Sequence, residues 1–142
     1  MAMNTHFKQE TVLLDHQTST AANTASTTGS EVVDVRHRKG VASVVLLNHG
    51  VAEDTAGREG VFTTRIETAS DTGFSSDKAT VHTFTAISMD TGDASVAASV
   101  QAKAVDLAAC ERYLRAVTVG DTDNDAGCTT DWTCVLNVNK AY

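Results

Sequence analysis

The sequence predicts an all-β protein: a jelly-roll-like β sandwich of about eight short strands with an extended N-terminal arm. Three observations point there. Val and Thr, stiff β-branched residues suited to pleated surfaces, are abundant along the whole chain. Short apolar or alternating runs recur roughly every 8–15 residues between clusters of Gly, Asn, Asp and Ser. Pro is absent, so those clusters must make the turns.

In chain order, residues 1–10, with the isolated aromatic Phe7, read as a frayed terminus or as an N-terminal arm that lies across a neighbour, and Thr11-Val-Leu-Leu14 as a first short apolar run. Residues 18–30, almost pure Ser, Thr, Ala and Asn, read as an exposed linker. Glu31–Arg36 alternates in part and leads into a basic turn, Arg36-His-Arg-Lys-Gly40. Val41–Leu47 is the most apolar run and is expected to end at a turn, Asn48-His-Gly50. Val61–Glu67 starts after Gly57-Arg-Glu-Gly60, and Thr80–Ser88 is a Thr-rich, half-buried strand closed by a turn at Asp90-Thr-Gly-Asp93. Ser95–Leu114 admits a helix or two strands; two strands with a bend at Asp106–Ala109 are favoured. Tyr113–Val119 alternates cleanly, and with Trp132–Val138 across the polar loop 120–127 it reads as a closing hairpin. At 142 residues the chain is expected to form one domain.

Composition narrows the function. Eleven basic against eighteen acidic residues give a formal charge of −7, which offers no footprint for nucleic acid and no basic face for a membrane surface. No stretch approaches the ~18 apolar residues of a membrane span. The first ten residues lack an apolar core of the secretory type, so synthesis in a cytoplasm is expected. Three cysteines, Cys110, Cys128 and Cys134, are an odd number, favouring reduced and partly buried thiols. The spacing of Cys128 and Cys134 also leaves open cross-strand neighbours or a small loop bridge.

Searches for chemistry return little. Asp121, Asp123 and Asp125 have the oxygen spacing that opens a calcium loop, but Ala126 stands at the sixth position and Trp132 at the twelfth. A solvated loop is the expectation. The five histidines are scattered, with none at zinc-site spacing from a cysteine. Gly-x-Ser-x-Gly and phosphate-cradling glycine loops are absent. No catalytic residue, cofactor or metal is therefore expected, and the protein is read as a non-enzyme. The cluster Arg36-His-Arg-Lys39 stands out in an acidic chain, as a solvated turn or as a partner for an acidic protein patch.

The order of segments carries a resemblance. Phe7-Lys-Gln is followed by the Ser/Thr linker, then Val33-Asp-Val-Arg-His-Arg-Lys-Gly40 and a hydrophobic strand. After these come Gly60-Val-Phe62 through Asp71, and Arg112-Tyr-Leu-Arg-Ala-Val-Thr-Val119. This pattern, over most of residues 7–138, resembles the cement (decoration) proteins of tailed bacteriophages, in particular the jelly-roll cement proteins of short-tailed phages such as the Bordetella phage. The resemblance implies a homodimer on the outer surface of an icosahedral virion, bridging major capsid protein subunits. On that reading Phe7, Val12, Leu13 and Leu14, with Arg36, Arg38 and Lys39 of the basic turn, are expected to contribute to contacts. A low-copy neck or tail component is one alternative. A module binding carbohydrate or a host surface is another, disfavoured by an aromatic content of only 5%.

Overall fold

The computed structural model describes residues 7–22, 26–38, 40–52, 59–90, 95–122 and 128–141, with backbone alone at 7–9, 26, 52 and 139–141. Eleven strands are present among them: β1 Phe7–Thr20, β2 Ser26–Thr28, β3 Val33–Asp34, β4 Val41–Ala52, β5 Gly60–Ala69 and β6 Ala79–Thr83. They continue with β7 Ile87–Met89, β8 Ser95–Val96, β9 Ser99–Asp106, β10 Tyr113–Asp121 and β11 Thr129–Ala141. The strands form two sheets. One has the order β1-β11-β4 with β8 and β9 both on the far side of β4, and the other runs from β2 and β3 through β10 and β5 to β6 and β7. Taking β2/β3, β6/β7 and β8/β9 as interrupted single strands leaves eight positions in two four-stranded antiparallel sheets. Early and late strands interleave in both, which is the jelly-roll arrangement.

Alternation builds the core. On β11, Trp132, Cys134, Leu136 and Val138 all point inward and are fully buried, while Thr133, Val135 and Asn137 point out. Leu14, Val44, Leu46, Ile66, Phe84 and Leu114 meet them between the sheets. A smaller cluster of Ala21, Val51, Phe62, Met89 and Cys128 fills the opposite end. Two buried polar pairs tie the interior together: Trp132 Nε1 donates to Ser19 Oγ at 2.8 Å, and the hydroxyls of Thr64 and Thr118 lie 2.7 Å apart.

Several expectations change. The first strand is longer than Thr11–Leu14, because residues 7–10 pair with β11 from Ala141 to Val138 rather than forming a free arm. The polar linker is also partly strand: Thr18–Thr20 close β1 and Ser26–Thr28 form β2. Thr is a good strand residue, and its hydroxyls find partners here, as in the short Ser19–Thr28 contact. The 48–50 turn is instead a bulge inside β4. Gly50 takes φ +94°, so His49 and Gly50 together face Asp131 alone. The Asn48 side chain accepts from Gly50 N at 2.9 Å and from Thr130 Oγ1 at 3.0 Å, which satisfies the groups the bulge frees. The expected closing hairpin does not form, since β10 and β11 lie in opposite sheets. Within 95–114, strands and an intervening bend are found: β8 and β9 precede, and β10 follows, a 3-10 turn at Leu107–Ala109 capped by the Asp106 carboxylate.

A second bulge, between Leu13 and Asp15, inserts an extra residue into β1 and turns Asp15 inward. Its buried carboxylate accepts from Ser30 N at 2.7 Å, Glu31 N at 3.2 Å and Gln17 Nε2 at 3.0 Å. It thereby ties the 28–31 segment to the edge of β1. Asp15→Ala should lower the unfolding free energy by about 3 kcal/mol, since it leaves buried donors without an acceptor. Urea denaturation followed by Trp132 fluorescence measures this, and a loss well under 1 kcal/mol would contradict that role for Asp15.

Candidate interaction face

The outward residues of β1, β11, β4 and β9 line up in rows. Leu13 faces Val135, Val135 faces Val45, and Val45 faces Ala102. The adjacent row is His16, Thr133, Leu47 and Val100, and on the other side lie Thr11, Asn137, Ser43 and Ala104. None of these twelve positions carries Asp, Glu, Lys or Arg, although 20% of the chain is charged. The apolar members are open to solvent: Leu13 is 51% and Val100 66% exposed, with Val45, Leu47 and Val135 half-buried. Both outer rows carry polar groups: on one side Thr11 Oγ1 donates to Asn137 Oδ1 at 2.8 Å, and on the other stand the histidines and Thr133. His16 Nδ1 lies 2.7 Å and His49 Nε2 3.2 Å from Thr133 Oγ1.

The outer face of the second sheet is built differently. Glu67, only 1% exposed, receives Arg115 at 2.7 Å and Arg65 at 2.7 Å, with Lys78 at 3.6 Å. The Arg115 guanidinium stacks 4.1 Å from the Phe74 ring centroid. Phe74 is brought over the sheet by the 70–78 loop, in which the Asp71 carboxylate accepts from Ser75 N and Ser76 N. Around Glu67 this face is closed by its own loop and by paired charges, while Val61 near the start of β5 is 41% exposed.

Of the predicted contact residues, Leu13 stands on the open grid. Leu14 is corrected to a core residue: it is fully buried, so its side chain has no surface to offer. Val12 likewise packs partly against the core. Phe7 opens β1 opposite Ala141, its side chain outside the described residues, as is Lys39 altogether. Arg36 is exposed and 3.7 Å from Asp34, whereas Arg38 is tied to the Glu10 carboxylate at 3.0 and 3.2 Å. These arginines and Arg112 border a shallow hollow of about 420 Å³ floored by Val35, Leu107 and Ala108, separate from the grid. Glu111 lines the same hollow, and Asp34 holds Arg112 at 3.0 Å, so its rim charges are balanced. Val45, Leu47, Val100, Ala102 and Val135 were not picked out from sequence. Half of each apolar run must face outward, but which halves adjoin follows only from strand pairing.

The remaining candidates offer no reactive centre. None of the three cysteines forms a disulfide. Burial, with the nearby Asp15 charge, pushes the Cys134 thiol up to about 12, which leaves it unreactive. Burial and the charges of Asp106 and Glu111 also raise Cys110. Asp121 ends β10, while Asp123 and Asp125 lie outside the described residues. No group of three or more His, Cys, Asp or Glu converges on a metal position among the described residues. No helix there is long and apolar enough to cross a membrane.

No protein-family model matches the chain, and no curated protein matches it. Solved structures do. The VP2 subviral particle of infectious bursal disease virus aligns over 95% of this chain with a TM-score of 0.51 and 14% identity. A point mutant of that VP2 aligns with a TM-score of 0.53, also at 14% identity over 95% of the chain. The likeness is one of fold. This chain spans about a third of VP2, 33% and 32% in the two alignments. A Bacillus endospore appendage pilus protein aligns over 97% of this chain and 94% of its own length at 15% identity, but its TM-score of 0.40 is too loose to characterise this protein.

The Glu67 cluster yields a pH prediction. Burial alone would raise the Glu67 carboxyl, but hydrogen bonds from Arg115 and Arg65 outweigh it and hold the group below its ordinary value of 4.5. A lowered folded-state value means stability that is present above pH 4.5 and lost as pH falls through the folded value. Glu67→Gln should lower the thermal midpoint at neutral pH and flatten its decline in acid. Some slope remains, because Asp34 and Asp71 are lowered too, by hydrogen bonds from Arg36 and Arg112 and from Ser75 and Ser76. An acid limb identical in both proteins would contradict the assignment.

Proposed function

We propose that this protein is a structural component of a viral particle, a cement protein that binds the outside of an icosahedral phage capsid and stabilises it by bridging major capsid subunits. The observation that carries the reading is the charge-free apolar grid on β1, β11, β4 and β9. Its support is the segment-by-segment resemblance to phage cement proteins and a fold shared with part of a viral VP2. On a chain of net charge −7 the grid is where another protein surface approaches without stripping water from ions. The acidic remainder keeps the protein off packaged DNA.

Size decides how such a face is used. Four strands about 4.8 Å apart and rows about 6.8 Å apart give a grid of roughly 400 Å². That is half of the ~800 Å² each partner contributes to a standard interface. A single contact is therefore weak. A dimer bearing two grids binds a repetitive shell through both, and effective concentration supplies the missing affinity. Binding the assembled state alone stabilises it by linkage.

Quantitative mass spectrometry of purified particles should find this chain near one copy per major capsid subunit. A few copies per hundred would move it to the neck or tail, and absence would remove the virion reading. Leu13→Glu combined with Val100→Glu should reduce co-sedimentation with shells at least tenfold, roughly the effect of placing unpaired charges in a contact. Both positions are exposed, so the fold should survive, as circular dichroism would verify.

A further inference from the structure

We propose that attachment through this grid is released by acid, with His16, Thr133 and His49 as the sensor. The inference rests on the capsid-binding reading for what is attached, and on geometry for how it lets go. The three residues come from neighbouring strands, β1, β11 and β4. Both imidazoles converge on one hydroxyl, at 2.7 and 3.2 Å, with ring centroids 6.1 Å apart and planes at 88°. Both histidines are exposed, and Leu47 and Val100 complete the row in which His16 and Thr133 stand. His16 is the ionisable member of the twelve-position grid, and His49 borders it.

The hydroxyl works as a neutral coupler. Thr133 has one proton to donate and lone pairs to accept with, so it can accept N–H from one neutral ring and donate to the bare nitrogen of the other. Protonation turns every ring nitrogen into a donor. The Thr133 proton then loses its acceptor, and two like charges stand about 6 Å apart beside the apolar rows. Covering them with a partner surface would mean stripping water from unpaired ions.

The surroundings do not cancel that charge. On β11 the exposed Asp131 lies on the same face and accepts from Thr18 of β1. On β1, Asp15 points inward and accepts the His16 backbone N–H at 2.8 Å. The neighbouring outward positions of β4 and β9 are Leu47 and Val100, and no Lys, Arg or Glu stands among the described outward residues of β1, β11 and β4 from residue 11 onward. Two imidazolium charges thus face one exposed carboxylate. Imidazoles titrate between pH 5 and 8. Each proton that must leave on docking weakens binding up to tenfold per pH unit below the titration, and two protons up to a hundredfold.

The test compares wild type with the double variant His16→Gln/His49→Gln, whose amides keep hydrogen-bonding capacity without titrating. Co-sedimentation with purified shells should fall at least tenfold for wild type between about pH 7.5 and pH 5, across the imidazole range. The double variant should lose less than about threefold, having no proton to take up. An equal loss in the variant, or no loss in wild type, overturns the inference. Failure of wild type to bind at neutral pH overturns instead the capsid reading and the attachment built on it.

Discussion

The structure depends on the inward row of β11. Trp132, Cys134, Leu136 and Val138 fill the space between the sheets, and β1 and β4 flank the strand on either side. Because side chains alternate across a strand, burying this row commits every intervening residue to the outside. A slip of one residue would put Thr133 and Asn137 in the core and expose Trp132. Core packing therefore holds the register, and the register composes the outer face. The apolar grid, the histidine pair and the Thr133 hydroxyl between them are consequences of where Trp132 sits.

The two bulges complete that arrangement. In β1 the extra residue lets Leu14 and Asp15 both turn inward, so Leu13 and His16 both point outward although three residues apart. In β4 His49 faces outward two residues beyond Leu47, at the start of the bulge, and lies 3.2 Å from Thr133 Oγ1. The contrast with the other sheet is chemical as well as geometric. There Glu67 gathers Arg65 and Arg115, Phe74 lies over Arg115, and the 70–78 loop covers the surface. The second face is closed around Glu67 by the protein itself, and the first is left open.

Much of the fold was legible in the sequence, for local reasons. Val and Thr abundance, the alternation of Tyr113–Val119 and the apolar run at 41–47 are properties of single strands, and they point to the jelly-roll sandwich that forms. The length of β1 is hidden, because the Ser/Thr-rich segment looks like a linker until Ser19 is seen to bond Trp132 and Thr28. Asn48-His-Gly50 has turn chemistry, yet tertiary pairing uses it for a bulge. Leu13 and Leu14 look alike in sequence and differ completely in exposure, because neighbours on a strand face opposite sides and the sequence does not say which side is the core. The candidate face was least legible: its rows draw on β1, β11, β4 and β9, distant in sequence, and exist only once three pairings are set.

The central claim, that the open face of the β1-β11-β4 sheet is the contact surface, is tested most directly by hydroxyl-radical footprinting of free and shell-attached protein. The account predicts protection on attachment at Leu13, Leu47, Val100 and Val135, with the Phe74 loop and the Arg115 face unchanged. Protection of the Phe74 loop with an undiminished signal from Leu13 and Val100 would contradict it.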